Sequence, residues 1–223
     1  MNSLFLSRQH FLRLLGAGAA LSLAPLPALA AEVAGKVVRL KGTVSLNRDG
    51  AQSALALDDE VMAGDVVTTL AESRLRIELT DGSIINLGEL TRITIAEFSF
   101  SPETLSRQAA FDLQSGLVQA VTAKAGSGST FIIRTNNAVA ATRSTDWIVE
   151  AKKAETTVLV REGKVDVQES AFGFRSLPSL EQDKAILLSA GQITTIGKKK
   201  SALGPEVADG AKLDAYLAGL AME

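Results

Sequence analysis

The chain has 223 residues, 46% of them hydrophobic and 22% charged, and its net charge is −2. That is enough apolar material for a real core in one domain or two, and too little positive charge to draw the chain to nucleic acid. There is no cysteine and only one histidine, His10, so disulfide staples are excluded.

The first thirty residues read as an export signal. A basic start (Arg8, Arg13) leads into an apolar run from Leu14 to Leu26, and Ala28-Leu29-Ala30 forms a small-x-small cleavage site. The run is short and interrupted by Pro25 and Pro27, which disfavours a membrane span. SRQHFLR is similar to a twin-arginine export motif, with Gln9 where the second arginine belongs, and this leaves the general secretory route open. Cleavage near Ala30 would place the mature chain in the periplasm or outside a bacterial cell. It would take the net charge from −2 to −4 and remove the sole histidine.

From Val38 onward the pattern is alternation. VRLKGTVSL, then Leu75-Arg76-Ile77-Glu78-Leu79, Ile93 with Ile95, Val158 with Val160, and Val165 with Val167 put apolar residues at every second position. A strand sends successive side chains to opposite faces, so these runs are strands with one buried face. Lys41-Gly42, Asp81-Gly82, Ser115-Gly116, Glu162-Gly163 and Ala190-Gly191 separate such runs and predict tight hairpin turns. Their irregular spacing argues against a strict repeat array. The expected fold is all-β: glycine-turn hairpins forming a β-roll, a solenoid-like stack or a sandwich.

Lys124 to Ser129 (KAGSGS) reads as a loop, and Phe172 to Asp183, with Pro178, as a second excursion. Lys198-Lys199-Lys200 reads as a solvated linker. Leu213, Tyr216, Leu217 and Leu220 have helical spacing and Asp209 suits an N-cap, which predicts one short C-terminal helix covering an open end or edge. The domains are then a cleavable signal over 1–30, an all-β domain over 31–200, and a tail with a short helix over 201–223.

The residues for several chemistries are missing. Without histidine the mature chain has no Ser-His or Cys-His nucleophile pair, and carboxylates alone make poor zinc sites. Asp58, Asp59 and Glu60, with Asp65 beyond, lack the alternating spacing of a calcium loop and read as a solvated turn. No cofactor or metal site is expected. AATRSTDWIVEA holds the only tryptophan. Arg143, Thr145, Asp146 and Trp147 are the candidate partner-binding residues, with Arg143 and Asp146 spaced to pair across a bend. The plainer reading is a core Trp147 with that ion pair fixing the turn.

GDVVTTLAESRLRIELTDGSIINLGELTRITI, FDLQSGLVQAV, IIRTNNAVAATRSTDWIVE, TTVLVREGKVDV and LLSAGQITTI follow one another from about Val37 to Ile196. In this order they resemble the FecR-type domains of bacterial periplasmic proteins. Ser144 stands where the family usually has glycine. The resemblance implies an all-β, non-catalytic domain. In signalling members it follows a membrane span and a cytoplasmic segment controlling a sigma factor, neither of which is expected here. The functional expectation is an interaction or sensing module for an envelope protein or polymer, with no bound nucleic acid and no transmembrane span in the mature chain. Two alternatives stand beside it. One is an envelope hydrolase or lyase using Asp58, Asp59, Asp65, Asp81 or Asp146. The other is a sensor of a small iron chelate.

Overall fold

The computed structural model describes residues 32–170, 185–197 and 204–222. The leader, the excursion at 172–183 and the Lys198–Lys200 run lie outside the described residues. Seventeen strands and one helix follow in order: β1 Val33–Lys41, β2 Val44–Arg48, β3 Ala51–Ala54, β4 Glu60–Met62, β5 Val66–Thr69, β6 Arg74–Leu79, β7 Ile84–Leu87, β8 Arg92–Ser101 and β9 Ser106–Val121. Then come β10 Thr130–Arg134, β11 Ala138–Thr142, β12 Asp146–Ala151, β13 Glu155–Glu162, β14 Lys164–Glu169, β15 Ile186–Ser189, β16 Gln192–Gly197, β17 Glu206–Val207 and α1 Gly210–Leu220. The fold is mostly strand, as expected.

The strands form two layers. In the first the order is β4-β1-β6-β7-β9-β12-β13-β16-β17. In the second it is β3-β2-β5-β8-β9-β10-β11-β14-β15. β9 belongs to both. Its first part pairs with β8 and β10, and from Gly116 onward it pairs with β7 and β12. Hydrogen bonding therefore runs through all seventeen strands as one mixed sheet folded over itself, with β9–β10 parallel and both layers open-ended rather than closed into a barrel.

Alternation does what the sequence asks. In β6, Leu75, Ile77 and Leu79 are buried while Arg74, Arg76 and Glu78 face outward. Inner residues of both layers, among them Val37, Leu75, Ile93, Ile95, Phe111, Phe131 and Trp147, form one core cluster. Burial of this kind contributes roughly 25 cal/mol per Å² of apolar surface and must carry stability in a chain without disulfides.

The glycine turns behave differently from expectation. Of the five predicted, only Asp81-Gly82 closes a hairpin, between β6 and β7. At Gly42, Gly163 and Gly191 the chain crosses from one layer to the other, and at Gly116 it does so without leaving the strand. Corners and hairpins have the same local requirement, a residue with φ > 0 (Gly42 +79°, Gly116 +98°), so composition cannot separate them. The corners also stack. A Cβ at Gly42 would strike Ser73, and one at Gly116 would strike Thr91. Hydroxyls take over main-chain pairing where strands part: Thr43 N donates to Ser73 Oγ (2.9 Å), and Leu117 N to Thr91 Oγ1 (3.0 Å).

α1 forms where predicted, and Asp209 caps it by accepting from Ala211 N at 3.2 Å. Its position corrects the expectation of an end or edge cover. Leu213, Tyr216, Leu217 and Leu220 pack on Leu117, Ile148, Leu159 and Ile193, a second small core on the outer face of the first layer. The Tyr216 hydroxyl donates to Glu150 Oε2 at 3.1 Å. Burial, followed by the Glu150 charge, pushes its pKa up to about 12. No helix among the described residues is long and apolar enough to cross a membrane.

Candidate functional site

The corner at residues 143–145, between β11 and β12, carries the sequence-predicted site and is built around a residue the sequence reading passed over. Arg107, near the start of β9, is fully buried. Its Nη1 donates to Asp81 Oδ2 and to Ser83 Oγ (2.9 Å), and its Nη2 donates to the Arg143 carbonyl at 2.8 Å. Its guanidinium lies 5.1 Å from the centre of the Phe131 ring, a cation–π distance. Ser83 Oγ donates to Asp81 Oδ2 (2.7 Å) and accepts from Ala123 N (2.9 Å), so this hydroxyl is saturated. One cation thereby ties the β6–β7 hairpin, the start of β9, the loop at Ala123 and the 143–145 corner. A lone arginine in SRQAAF gives no periodic or turn signal, so only its partners identify it.

The four candidates separate. Trp147 is fully buried, with its ring edge-on to Phe131 at 6.5 Å, and it belongs to the core rather than to a recognition surface. Thr145 is also buried. Its N–H donates to Thr122 Oγ1 (2.7 Å) and its hydroxyl to the Lys164 carbonyl (3.0 Å), which locks this corner onto the next one at Gly163. Asp146 does not pair with Arg143. Its carboxylate accepts from Arg161 Nη1 (2.6 Å) and Gln119 Nε2 (2.8 Å), because β13 and β9 flank β12 and bring those residues alongside. Arg143 is exposed, as is Ser144. The left-handed residue at these corners is Gly163, with φ +88°, while Ser144 stays outside the positive-φ region, so the glycine-to-serine departure demands no strained serine.

Arg143 and Ser144 line an open groove of about 640 Å³ together with Thr130, Lys164, Asp166 and Leu187. Arg143, Lys164 and Asp166 provide charge at its rim, and Leu187, 49% exposed, an apolar wall. Leu187 lies on β15, the last strand of the second layer among the described residues. Polar rims around small apolar walls suit a partner side chain or extended segment.

The other acids are engaged one by one. Asp65 is buried and takes a two-pronged contact from Arg48 (Nε–Oδ1 and Nη2–Oδ2, both 2.7 Å), which raises the Arg48 pKa further. Asp58 meets Lys36 at 2.8 Å on the surface, and Asp59 accepts from Ala56 N at 2.7 Å. Asp81 belongs to Arg107, and Asp146 to Arg161. The five carboxylates considered for hydrolysis do not converge on one cleft. Among the described residues no group of three or more acids or histidines gathers to hold a metal.

Residues 65–166 match the family model described as FecR protein. This FecR match covers just under half of the chain. Its matched span runs from the buried Asp65 to Asp166 at the groove, and takes in the DGS turn, Arg107 and the RSTD corner, more narrowly than the Val37–Ile196 resemblance. Two crystal structures of proteins from Parabacteroides distasonis ATCC 8503, each provisionally described as an anti-sigma factor, are similar in fold to part of this chain. One has 18% identity and a TM-score of 0.51 over 68% of this chain. The other has 19% identity and a TM-score of 0.50 over 68%. The chain spans 64% and 63% of their lengths. No curated protein matches the sequence.

Proposed function

We propose that this chain is an exported, non-catalytic FecR-type module that senses or relays a signal by binding a protein or polymer partner in the bacterial cell envelope. The observation that carries the reading is the 143–145 corner. Arg107 anchors its backbone from inside, and this holds Arg143 and Ser144 at the rim of an open groove beside β15. A buried polar anchor beneath exposed contact residues fixes a recognition surface before the partner arrives, which lowers the ordering cost of binding. The FecR domain and the anti-sigma description of the fold neighbours support a signalling role. The signal-like first thirty residues support the envelope. The separate engagement of Asp58, Asp59, Asp65, Asp81 and Asp146 supports binding over carboxylate catalysis.

The test is photo-crosslinking in envelope preparations, with a benzophenone side chain at position 143 or 187 and at Gln52 on the exposed strand β3 as control. One recurrent adduct from 143 and 187, absent from 52, is the expected result. Equal adducts from all three, or none from the groove positions, would remove the groove as the docking site.

A further inference from the structure

Polar side chains on the outer face of the first layer join into one ladder. Arg76 Nε on β6 donates to Asn86 Oδ1 on β7 at 2.7 Å. Asn86 Nδ2 donates to Gln119 Oε1 on β9 at 3.0 Å, and Gln119 Nε2 to Asp146 Oδ1 on β12 at 2.8 Å. Arg161 Nη1 on β13 closes the far end on Asp146 Oδ2 at 2.6 Å. Five neighbouring strands are crossed without a gap. Arg76, Asn86 and Gln119 stand directly opposite one another. The next residue in that row is Ile148, which lies under α1, so Gln119 reaches diagonally to Asp146 instead. Asn86 and Gln119 are buried, so a broken link leaves an amide group unsatisfied.

The ladder has a direction, and its ends set it. A guanidinium only donates and a carboxylate only accepts, whereas an amide side chain does both. Each amide has two orientations, related by exchange of its oxygen and nitrogen. With Arg76 at one end and Asp146 at the other, only one orientation of each amide satisfies every link. Flipping either one sets donor against donor and acceptor against acceptor. Asn86 and Gln119 thus form an element with two discrete arrangements that both ends bias, which is what coupling between distant positions requires.

The Asp146 end adjoins the groove, because Asp146 directly follows Thr145 of the corner. The other end of that corner is held from the core, where Arg107 donates to the Arg143 carbonyl at 2.8 Å. The segment 143–146 is therefore gripped at one end from inside the sandwich and at the other across its outer face. We propose that Arg76, Asn86 and Gln119 are positioning residues for the groove: through this one-way ladder they hold Asp146, and with it the corner that presents Arg143 and Ser144. The inference rests on the groove as the binding site and extends it to side chains that do not line it.

The experiment uses the full chain and electron spin resonance. The chain has no cysteine, so Ser144→Cys gives a single attachment point for a nitroxide whose spectrum reads the mobility of the corner. Gln52→Cys on the exposed strand β3 is the reference. Arg76 is half-buried on the outer face, so substitution there leaves no cavity in the core. Arg76→Met removes the donating end of the ladder and should raise the mobile fraction at 144 by about twofold or more, with no change at 52. Arg76→Lys, which keeps a donor, should stay close to the parent. Asp146→Asn removes the obligate acceptor and should also mobilise 144. Arg76→Met/Asp146→Asn should go no further than Asp146→Asn alone, because the unit is already broken. A spectrum at 144 unmoved by Arg76→Met would overturn the proposal. Equal mobilisation at 144 and 52, which is general loosening, would overturn it too, as would additive effects of the two substitutions. Missing adducts from 143 and 187 together with the expected spectra would strike the proposed function and leave the ladder standing.

Discussion

Arg107 and Asp81 form a buried ion pair across 26 positions of sequence, with side-chain exposures of 0% and 2%. The pair also fixes the backbone at Arg143, so a change deep in the sandwich should be felt at the groove. Burying two charges is costly, and removing one partner leaves the other uncompensated.

Arg107→Met should therefore destabilise by about 3–5 kcal/mol. Asp81→Asn/Arg107→Met should lose less than the single change, because no lone charge is left behind. Urea unfolding of the parent, the two single variants and the double variant checks this. A double variant as unstable as the sum of the singles would mean that the two side chains are not coupled.

Trp147→Ala should lower stability by about 3–5 kcal/mol, through the lost core volume and the edge contact with Phe131. Thermal melting is the measurement. A melt within a degree of the parent would contradict the core position of this ring.

Two glycines separate backbone strain from close approach. Gly50 has φ +84° and open space where a Cβ would go, so Gly50→Ala should lose about 1–2 kcal/mol from conformation alone. Gly116 has φ +98° and Thr91 packed against it. Gly116→Ala must also push aside the hydroxyl that accepts from Leu117 N, which adds about 1–3 kcal/mol. Comparable unfolding midpoints for the two variants would show that the corners are not stacked.

Tyr216 is the only tyrosine, so its ionisation can be followed directly by ultraviolet absorbance. It should titrate near 12 rather than at its ordinary value of 10. The neutral hydroxyl is the form favoured in the folded state. Its contribution is fully present below pH 10 and is lost as pH rises through 12, because the unfolded chain gives up the proton first. Leu220→Asp, which should lift α1 from the sheet, is expected to return the titration toward 10. A midpoint near 10 in the parent would mean that the helix does not shelter this residue.

The sequence by itself determined the strand class, the buried face of alternating strands such as β6, the C-terminal helix with its Asp209 cap, and the FecR-like order of motifs. These depend on period and on local chemistry: alternation is a two-residue property, and a cap is satisfied within one turn. Whether a glycine closes a hairpin or carries the chain between layers was decided only by the tertiary structure, since both need the same positive φ. The same holds for the ions. Asp146 had Arg143 nearby in sequence, but strand pairing brought Arg161 and Gln119 to it, and Arg107 acquired Asp81 from another hairpin altogether. Coulomb attraction and hydrogen bonding act over a few ångströms of space, and in a sandwich that distance is set by register and layer order, neither of which a local stretch of sequence encodes.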